Sequence, residues 1–114
     1  MSRDGEFVAA HVAAFNQAVV AGEFRAFLLR FADDAVIRFE NLPGGVNLEF
    51  AGRIAYTRAY RDQPPDDQLD IAGPVTVDGP RLAVPFAWRR DGARGTMQLS
   101  QVDGLITEMN VIFE

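Results

Sequence analysis

The sequence predicts an α+β fold, in which helices come first in the chain and pack on one face of a curved antiparallel sheet. Before Leu69 most apolar residues recur with helical periodicity, apart from a short alternating segment at Ala35 to Glu40, whereas after Leu69 apolar and polar residues alternate throughout as they do in strands. Asp–Gly pairs, which favour hairpin turns, separate the alternating runs. Helices followed by an antiparallel meander are typical of an α+β domain, and the 114 residues suit a single domain over 1–114.

Three helices are predicted in the first part of the chain. The first runs from about Gly5 to Ala21, with an N-cap offered by Ser2 to Asp4 and a stop at Gly22. The second runs from about Glu23 to Phe31. The third runs from Arg53 to Asp62 and ends because the prolines that follow it disfavour helical geometry in the preceding residue.

The second helix is predicted to pass almost directly into the first strand, Ala35 to Glu40. Asp33 and Asp34 suit this junction, because their short carboxylates compete locally against helix. Val46 to Phe50 is either a short strand or the ordered end of the preceding loop. The later strands are predicted at Leu69 to Val77, Arg81 to Arg90, Gly95 to Val102 and Leu105 to Phe113.

The composition argues against several classes of protein. A net charge of -5 with no run of lysines argues against nucleic acid and anionic membranes as partners, because both attract clustered cations. The chain has no cysteine and one histidine, and its carboxylates are scattered, so neither a metal site nor any other cofactor site is predicted. The sequence shows neither the h-region of a signal peptide nor an apolar run near 18 residues, so export and membrane spanning are not expected and a cytoplasmic location is predicted.

Several local strings, together with the order of elements, resemble one superfamily. The strings are Ala21-Gly22-Glu23, Phe31 to Val36, Phe50-Ala51-Gly52-Arg53 followed by Ile54 and Tyr60, and Asp103-Gly104 followed by Met109 and Phe113. They resemble the cone-shaped α+β barrels of the nuclear-transport-factor-two type, which include ketosteroid isomerases and SnoaL-like polyketide cyclases. The resemblance extends from about Phe7 to Phe113 and carries information about fold more than about activity.

The resemblance implies a mostly apolar pocket between the helices and the curved sheet. The residues expected to contact a molecule bound in this pocket are Phe15, Phe39, Tyr56, Tyr60, Phe86, Trp88, Gln98 and Met109. Four further residues are expected to face the pocket, namely His11, Ile37, Leu82 and Val84.

The catalytic groups of ketosteroid isomerases are missing from their expected positions. In that family a tyrosine and a protonated acid bind the developing oxyanion while a carboxylate moves the proton. Here the tyrosine position falls on Phe15, the base position on Phe39 and the acid position on Gln98. Ketosteroid isomerase activity is therefore not expected.

Three other polar residues remain candidates for chemistry in the pocket. Glu40 is either a displaced general base or a solvated glutamate at a strand end, and the alternation predicts that it points outward if Phe39 points inward. His11 is either an acid or base near neutral pH or a packed histidine on the apolar face of the first helix. Gln98 either orients a ligand oxygen or pairs with backbone at a strand edge.

If Gln98 points inward, its neighbours on the strand point outward. Met97, Leu99 and Gln101, with Ile106 and Ile112, would then form an apolar outer face of a kind that monomers usually avoid. A homodimer through the outer face of the sheet is therefore predicted.

Two functions remain open on the sequence. One is a cofactor-independent isomerase, cyclase or dehydratase, or another lyase or a hydrolase, acting on a small hydrophobic oxygen-bearing molecule of polyketide or terpenoid type. Glu40 or His11 would serve as its base. The other is a non-catalytic ligand-binding or dimerisation domain of the same fold.

Overall fold

A computed structural model describes residues 3–114 and confirms the α+β arrangement, with helices packed on a curved sheet. The helices are α1 (Arg3–Ala21), α2 (Arg25–Leu28) and α3 (Arg53–Asp62). The strands are β1 (Phe31–Leu42), β2 (Val46–Ala51), β3 (Leu69–Ile71), β4 (Thr76–Asp78), β5 (Arg81–Trp88), β6 (Arg94–Val102) and β7 (Leu105–Phe113). Ser2, part of the predicted N-cap, lies outside the described residues.

The sheet is mixed and open, so the expectation of a wholly antiparallel barrel is wrong in these two details. The strand order is β2-β1-β7-β6-β5-β3, with β4 also paired to β5. β1 and β7 run parallel, whereas the other paired strands run antiparallel. Hairpin turns dictate antiparallel pairing only between strands adjacent in the chain, and β1 and β7 are separated by most of the chain. The open sheet forms one wall of the space beneath the helices.

The junction between α2 and β1 lies earlier than predicted. The second helix was predicted to continue to Phe31, but it ends at Leu28, and β1 already begins at Phe31. Pairing with β7 holds the chain extended there, since the Ile106 N–H donates to the Arg30 carbonyl at 2.9 Å. The register then shifts before Val36, so the exposed Asp33 and Asp34 occupy a bulge inside the strand.

The strand predicted from Leu69 to Val77 is divided into β3 and β4. Both β3 and β4 pair with β5, but the segment between them, which contains Gly73 and Pro74, is not part of the sheet. Pro74 has no N–H to donate. Gly73 lies so close to Pro85 that an added Cβ would come within 2.6 Å of its Cγ atom. The break therefore follows from a proline and a close contact that alternation alone does not reveal.

α1 is joined to the sheet by a side chain that pairs with backbone as a strand would. The Asn16 amide donates to the Leu69 carbonyl, and the Leu69 N–H donates to the Asn16 amide oxygen, both at 2.9 Å. This places the helix over the β3 end of the sheet and positions Leu69 at the site described below.

Asn16→Asp is expected to lower the free energy of unfolding by about 1 to 3 kcal/mol, because it removes the donor to the Leu69 carbonyl and places a carboxylate against it. Urea denaturation followed by circular dichroism measures the change. Gln17→Glu is the control, since it makes the same amide-to-acid change at an exposed neighbouring position. Equal effects of the two substitutions would show that the Asn16 pairing contributes nothing specific.

Candidate functional site

A cavity of about 170 Å³ lies between the helices and the inner face of the sheet. Its wall includes most of the residues predicted to face a pocket, which are His11, Phe15, Phe39, Tyr56, Tyr60, Phe86, Trp88 and Met109. The prediction omitted six further wall residues, Phe27, Gln63, Pro65, Leu69, Met97 and Val111. The sequence thus located the pocket but not its whole perimeter.

Some of the omitted residues carried a usable signal in the sequence. Phe27 belongs to the helical pattern that predicted the second helix, and Val111 follows Met109 by two residues on the same strand. Gln63 and Pro65 follow the end of α3, and no periodicity extends to them. Their position at the wall depends on how the loop after α3 folds back, which local sequence does not determine.

The cavity wall is formed chiefly by aromatic rings that hold one another in place. The Phe15 ring meets the Phe27 ring edge to face at 5.5 Å between centroids and the Trp88 ring at 6.1 Å. Trp88 also meets Phe86 at 5.7 Å, nearly perpendicular. Edge-to-face packing of this kind fixes ring orientation, so the cavity has a defined shape without a ligand.

Gln98 does not reach the cavity, so the prediction that its side chain faces the pocket is wrong. It lies directly opposite Asn110 on β7, whose side-chain amide donates to the Gln98 oxygen at 3.2 Å. Opposite residues share a face of the sheet, and the same register places Leu99 opposite Met109, which lines the cavity. Met97 and Leu99 therefore point inward and are buried, and Gln98 points outward.

The outer face of the sheet consequently lacks the apolar set that suggested a homodimer. Met97 and Leu99 are core residues, and so is Ile106, because a register shift between β6 and β7 reverses its side. The outer face instead has a polar network centred on Arg38, which contacts Glu49 at 2.7 Å and Glu108 at 3.2 Å. The homodimer stays a prediction, but of the apolar residues that suggested it Ile112 alone lies on the outer face of the described sheet.

Glu40 also lies off the cavity wall. Phe39 lines the cavity, and the parallel pairing of β1 with β7 continues through Glu40 opposite Ile112, so alternation directs Glu40 to the outer face. The irregularity in the β1 and β2 pairing comes after Phe39 and does not bring the carboxylate inward. The arrangement matches the interpretation of Glu40 as a glutamate at a strand end. It gives no support to a displaced base.

His11 is buried in the aromatic cluster with one hydrogen-bonding partner among residues 3–114. Its ring centroid lies 5.1 Å from that of Phe27 and 5.7 Å from that of Phe31. Arg30 donates from Nε to His11 Nδ1 at 3.3 Å. Burial, aided by the positive charge of Arg30, lowers the pKa of His11 to about 3. The imidazole is therefore neutral at neutral pH, and its low pKa makes it a weak general base there.

Tyr56 and Tyr60 provide a second polar group at the cavity. They lie one turn apart on α3, and the Tyr56 hydroxyl donates to the Tyr60 hydroxyl oxygen at 2.6 Å. Burial raises the pKa of both phenols, so both remain protonated and able to donate. The pair can present a hydrogen bond to a ligand oxygen while its rings contribute apolar surface.

In the described part of the chain, neither a cluster of metal-binding side chains nor a membrane-spanning helix is found. No group of three or more histidine, cysteine, aspartate or glutamate side chains in residues 3–114 is placed to hold a metal ion. None of the described helices has the length and apolar character needed to cross a membrane.

Solved structures resemble this chain over nearly its whole length. An NTF2-like protein of unknown function from Cytophaga hutchinsonii has a TM-score of 0.71 at 15% identity, covering 100% of this chain and 92% of its own. A protein from Kribbella flavida provisionally called a ketosteroid isomerase has a TM-score of 0.62 at 26% identity, covering 96% and 78%. A provisionally named polyketide cyclase from Xanthomonas campestris has a TM-score of 0.64 at 16% identity, covering 97% and 93%. No protein-family model and no curated protein matches the sequence.

Proposed function

We propose that this chain, which has the nuclear-transport-factor-two-like fold, binds a small apolar molecule that carries one oxygen function. The observation that supports this most directly is an apolar, aromatic-walled cavity in which a neutral histidine and a tyrosine pair are the buried polar groups. Apolar pockets with a few fixed polar groups are the usual form of small-molecule sites. The apolar walls supply affinity, and the polar groups orient the oxygen.

The size of the cavity limits the ligand to about one ring. A cavity of about 170 Å³ is close to the size, roughly 150 Å³, of an engineered cavity that accepts benzene. It is too small for a steroid or a polycyclic polyketide. The ligand class is therefore a monocyclic ketone, phenol or similar compound, smaller than the polyketide or terpenoid expected from the resemblance.

Titration with cyclohexanone and phenol tests this proposal, with fluorescence as the readout. Trp88 is the chain's single tryptophan and lies at the cavity wall, so a ligand in the cavity changes its emission. We expect a saturable change with the two small probes and none with androstenedione. The absence of a saturable change with either small probe would contradict the proposal.

A pair of variants on β7 localises the binding. Val111 lines the cavity, whereas Ile112 alternates to the outer face. Val111→Phe fills the cavity and is expected to reduce affinity at least tenfold, whereas Ile112→Phe leaves it within about twofold. If Val111→Phe does not fold, Val111→Met provides a milder filling. Equal losses of affinity in Val111→Phe and Ile112→Phe would show that the probe binds outside the cavity.

A catalytic role is the second candidate, because one solved structure with this fold is provisionally called a ketosteroid isomerase and another a polyketide cyclase. His11 and the tyrosine pair could stabilise an enolate oxygen. Among the described residues, however, no carboxylate lines the cavity to remove a proton. We expect no acceleration of deuterium exchange at the α-carbon of cyclohexanone in D₂O. Acceleration that Val111→Phe abolishes would favour the enzyme.

A further inference from the structure

We propose that Arg30, which lies off the cavity wall, holds His11 as a hydrogen-bond donor toward the cavity and so makes the site prefer ligands with an acceptor oxygen. Arg30 acts as a positioning residue, because it contacts His11 and not the ligand. The proposal names the ligand chemistry of the proposed site and rests on that function.

Arg30 is fixed at both its backbone and its head group. Its carbonyl accepts a hydrogen bond from the Ile106 N–H at 2.9 Å, which ties it to the start of β7. Its guanidinium carbon lies 5.5 Å from the centre of the Phe7 ring, within range of a cation–π contact. The half-buried side chain therefore meets His11 from one defined direction, with Nε 3.3 Å from Nδ1.

The chemistry of a guanidinium determines which His11 nitrogen carries the proton. Arginine remains protonated in proteins and can only donate, so Nδ1 must use its lone pair to accept. The buried imidazole is neutral, and its single proton is then on Nε2. Nε2 lies on the side of the ring away from Arg30 and has no hydrogen-bonding partner among the described residues. No fully buried side-chain nitrogen in residues 3–114 lacks a partner, so Nε2 is open to the cavity that the ring lines. The cavity thus receives an N–H donor.

His11 differs in this respect from the tyrosine pair. A phenol hydroxyl can rotate to donate or accept, so Tyr56 and Tyr60 can adapt to either kind of ligand. His11 Nε2–H can only donate while Arg30 occupies Nδ1. Ketones and aldehydes, which accept but do not donate, suit a site whose fixed group is a donor.

Nitrogen NMR of the uniformly ¹⁵N-labelled protein tests the tautomer without a ligand. His11 is the only histidine in the chain, so its two ring nitrogens are readily assigned. In the wild type we expect Nε2 at the shift of a protonated ring nitrogen and Nδ1 at that of an unprotonated one. Arg30→Met should move the two chemical shifts toward each other, because the two tautomers then interchange. Arg30→Lys should partly restore the difference between the shifts. Arg25→Met removes an exposed arginine of α2 and should change neither.

Binding measurements test the consequence for ligand choice. Cyclohexanone and methylenecyclohexane have nearly the same shape, but only the ketone accepts a strong hydrogen bond. The wild type and Arg25→Met should prefer the ketone by about fivefold, the effect of one net hydrogen bond. Arg30→Met should reduce that preference at least twofold while both compounds still bind.

The two measurements separate the failure of this inference from that of the proposed function. A wild-type proton on Nδ1, or nitrogen shifts that Arg30→Met leaves unchanged, would overturn the role of Arg30 even if both compounds bind. If neither compound binds, the proposed function fails and the ligand preference fails with it. An unchanged ketone preference in Arg30→Met, despite altered nitrogen shifts, would also overturn the preference.

Discussion

Gly95→Ala is expected to destabilise the protein by about 1 to 3 kcal/mol, through overpacking of a buried position. A Cβ atom at Gly95 would come within 2.6 Å of the Ile112 carbonyl oxygen and within 2.7 Å of Cζ of Phe86. The carbonyl belongs to β7, which pairs with β6 at this point, and the Phe86 ring is fully buried at the cavity wall. Neither neighbour can retreat without disturbing the sheet or the cavity. Denaturant unfolding measures the loss.

A double-mutant cycle with Phe86→Leu identifies the contact responsible. The smaller side chain relieves the clash with the ring but leaves the clash with the carbonyl, so Gly95→Ala should cost less in the Phe86→Leu background than in the wild type. Thr96→Ala is the control, because Thr96 is next on the same strand and faces outward. A denaturant midpoint of Gly95→Ala that equals or exceeds that of the wild type would contradict the expectation.

The sequence predicts elements well where periodicity is strong and pairing is local. The strand from Leu105 to Phe113 was predicted with the bounds that the structure gives, because alternation and a hairpin turn agree there. The junction at Phe31 was misplaced because its extended geometry comes from pairing with Ile106, which is far away in the chain. Long-range pairing of this kind leaves no local pattern.

The face of a strand is harder to predict than its existence. Alternation shows that neighbouring residues on β6 take opposite sides, but it does not say which side is inner, and an error of one residue reverses the whole strand. Gln98 was assigned inward because the resemblance places it at the acid position of ketosteroid isomerases, whereas the pairing of Leu99 with Met109 directs it outward. Ile106 was assigned outward because a register shift in β7 is invisible to alternation.

The apolar part of the site was predictable, whereas its polar chemistry was not. The resemblance to the nuclear-transport-factor-two type assigned Phe15, Phe39 and Phe86 to the pocket, and all three line the cavity. The neutral state of His11 follows first from its burial and second from Arg30, which is 19 positions away in the chain and contacts it only in the folded structure. A lone histidine on an apolar helix face therefore indicates a buried residue without revealing its tautomer or its charge.

The stability of this protein is expected to fall as the pH drops below about 6.5, because of His11. Burial and the charge of Arg30 lower its pKa to about 3 in the folded state, whereas an unfolded histidine titrates near its usual value of 6.5. Between these values the unfolded chain binds a proton that the folded protein does not, so acid favours unfolding. The stability associated with neutral His11 is present above about pH 6.5 and is lost progressively toward pH 3.

Between about pH 7.5 and pH 5 this linkage should cost about 2 kcal/mol of unfolding free energy. Histidine is the side chain that ordinarily titrates within that window, and His11 is the only histidine, so few other side chains contribute. Urea midpoints across the window measure the slope in the wild type and in His11→Leu, which keeps an apolar group among Phe27 and Phe31 but does not titrate. The variant should have a nearly flat profile. A wild-type profile equally flat would mean that His11 is protonated as readily in the folded state as in the unfolded chain, and the neutral imidazole at the cavity would have to be abandoned.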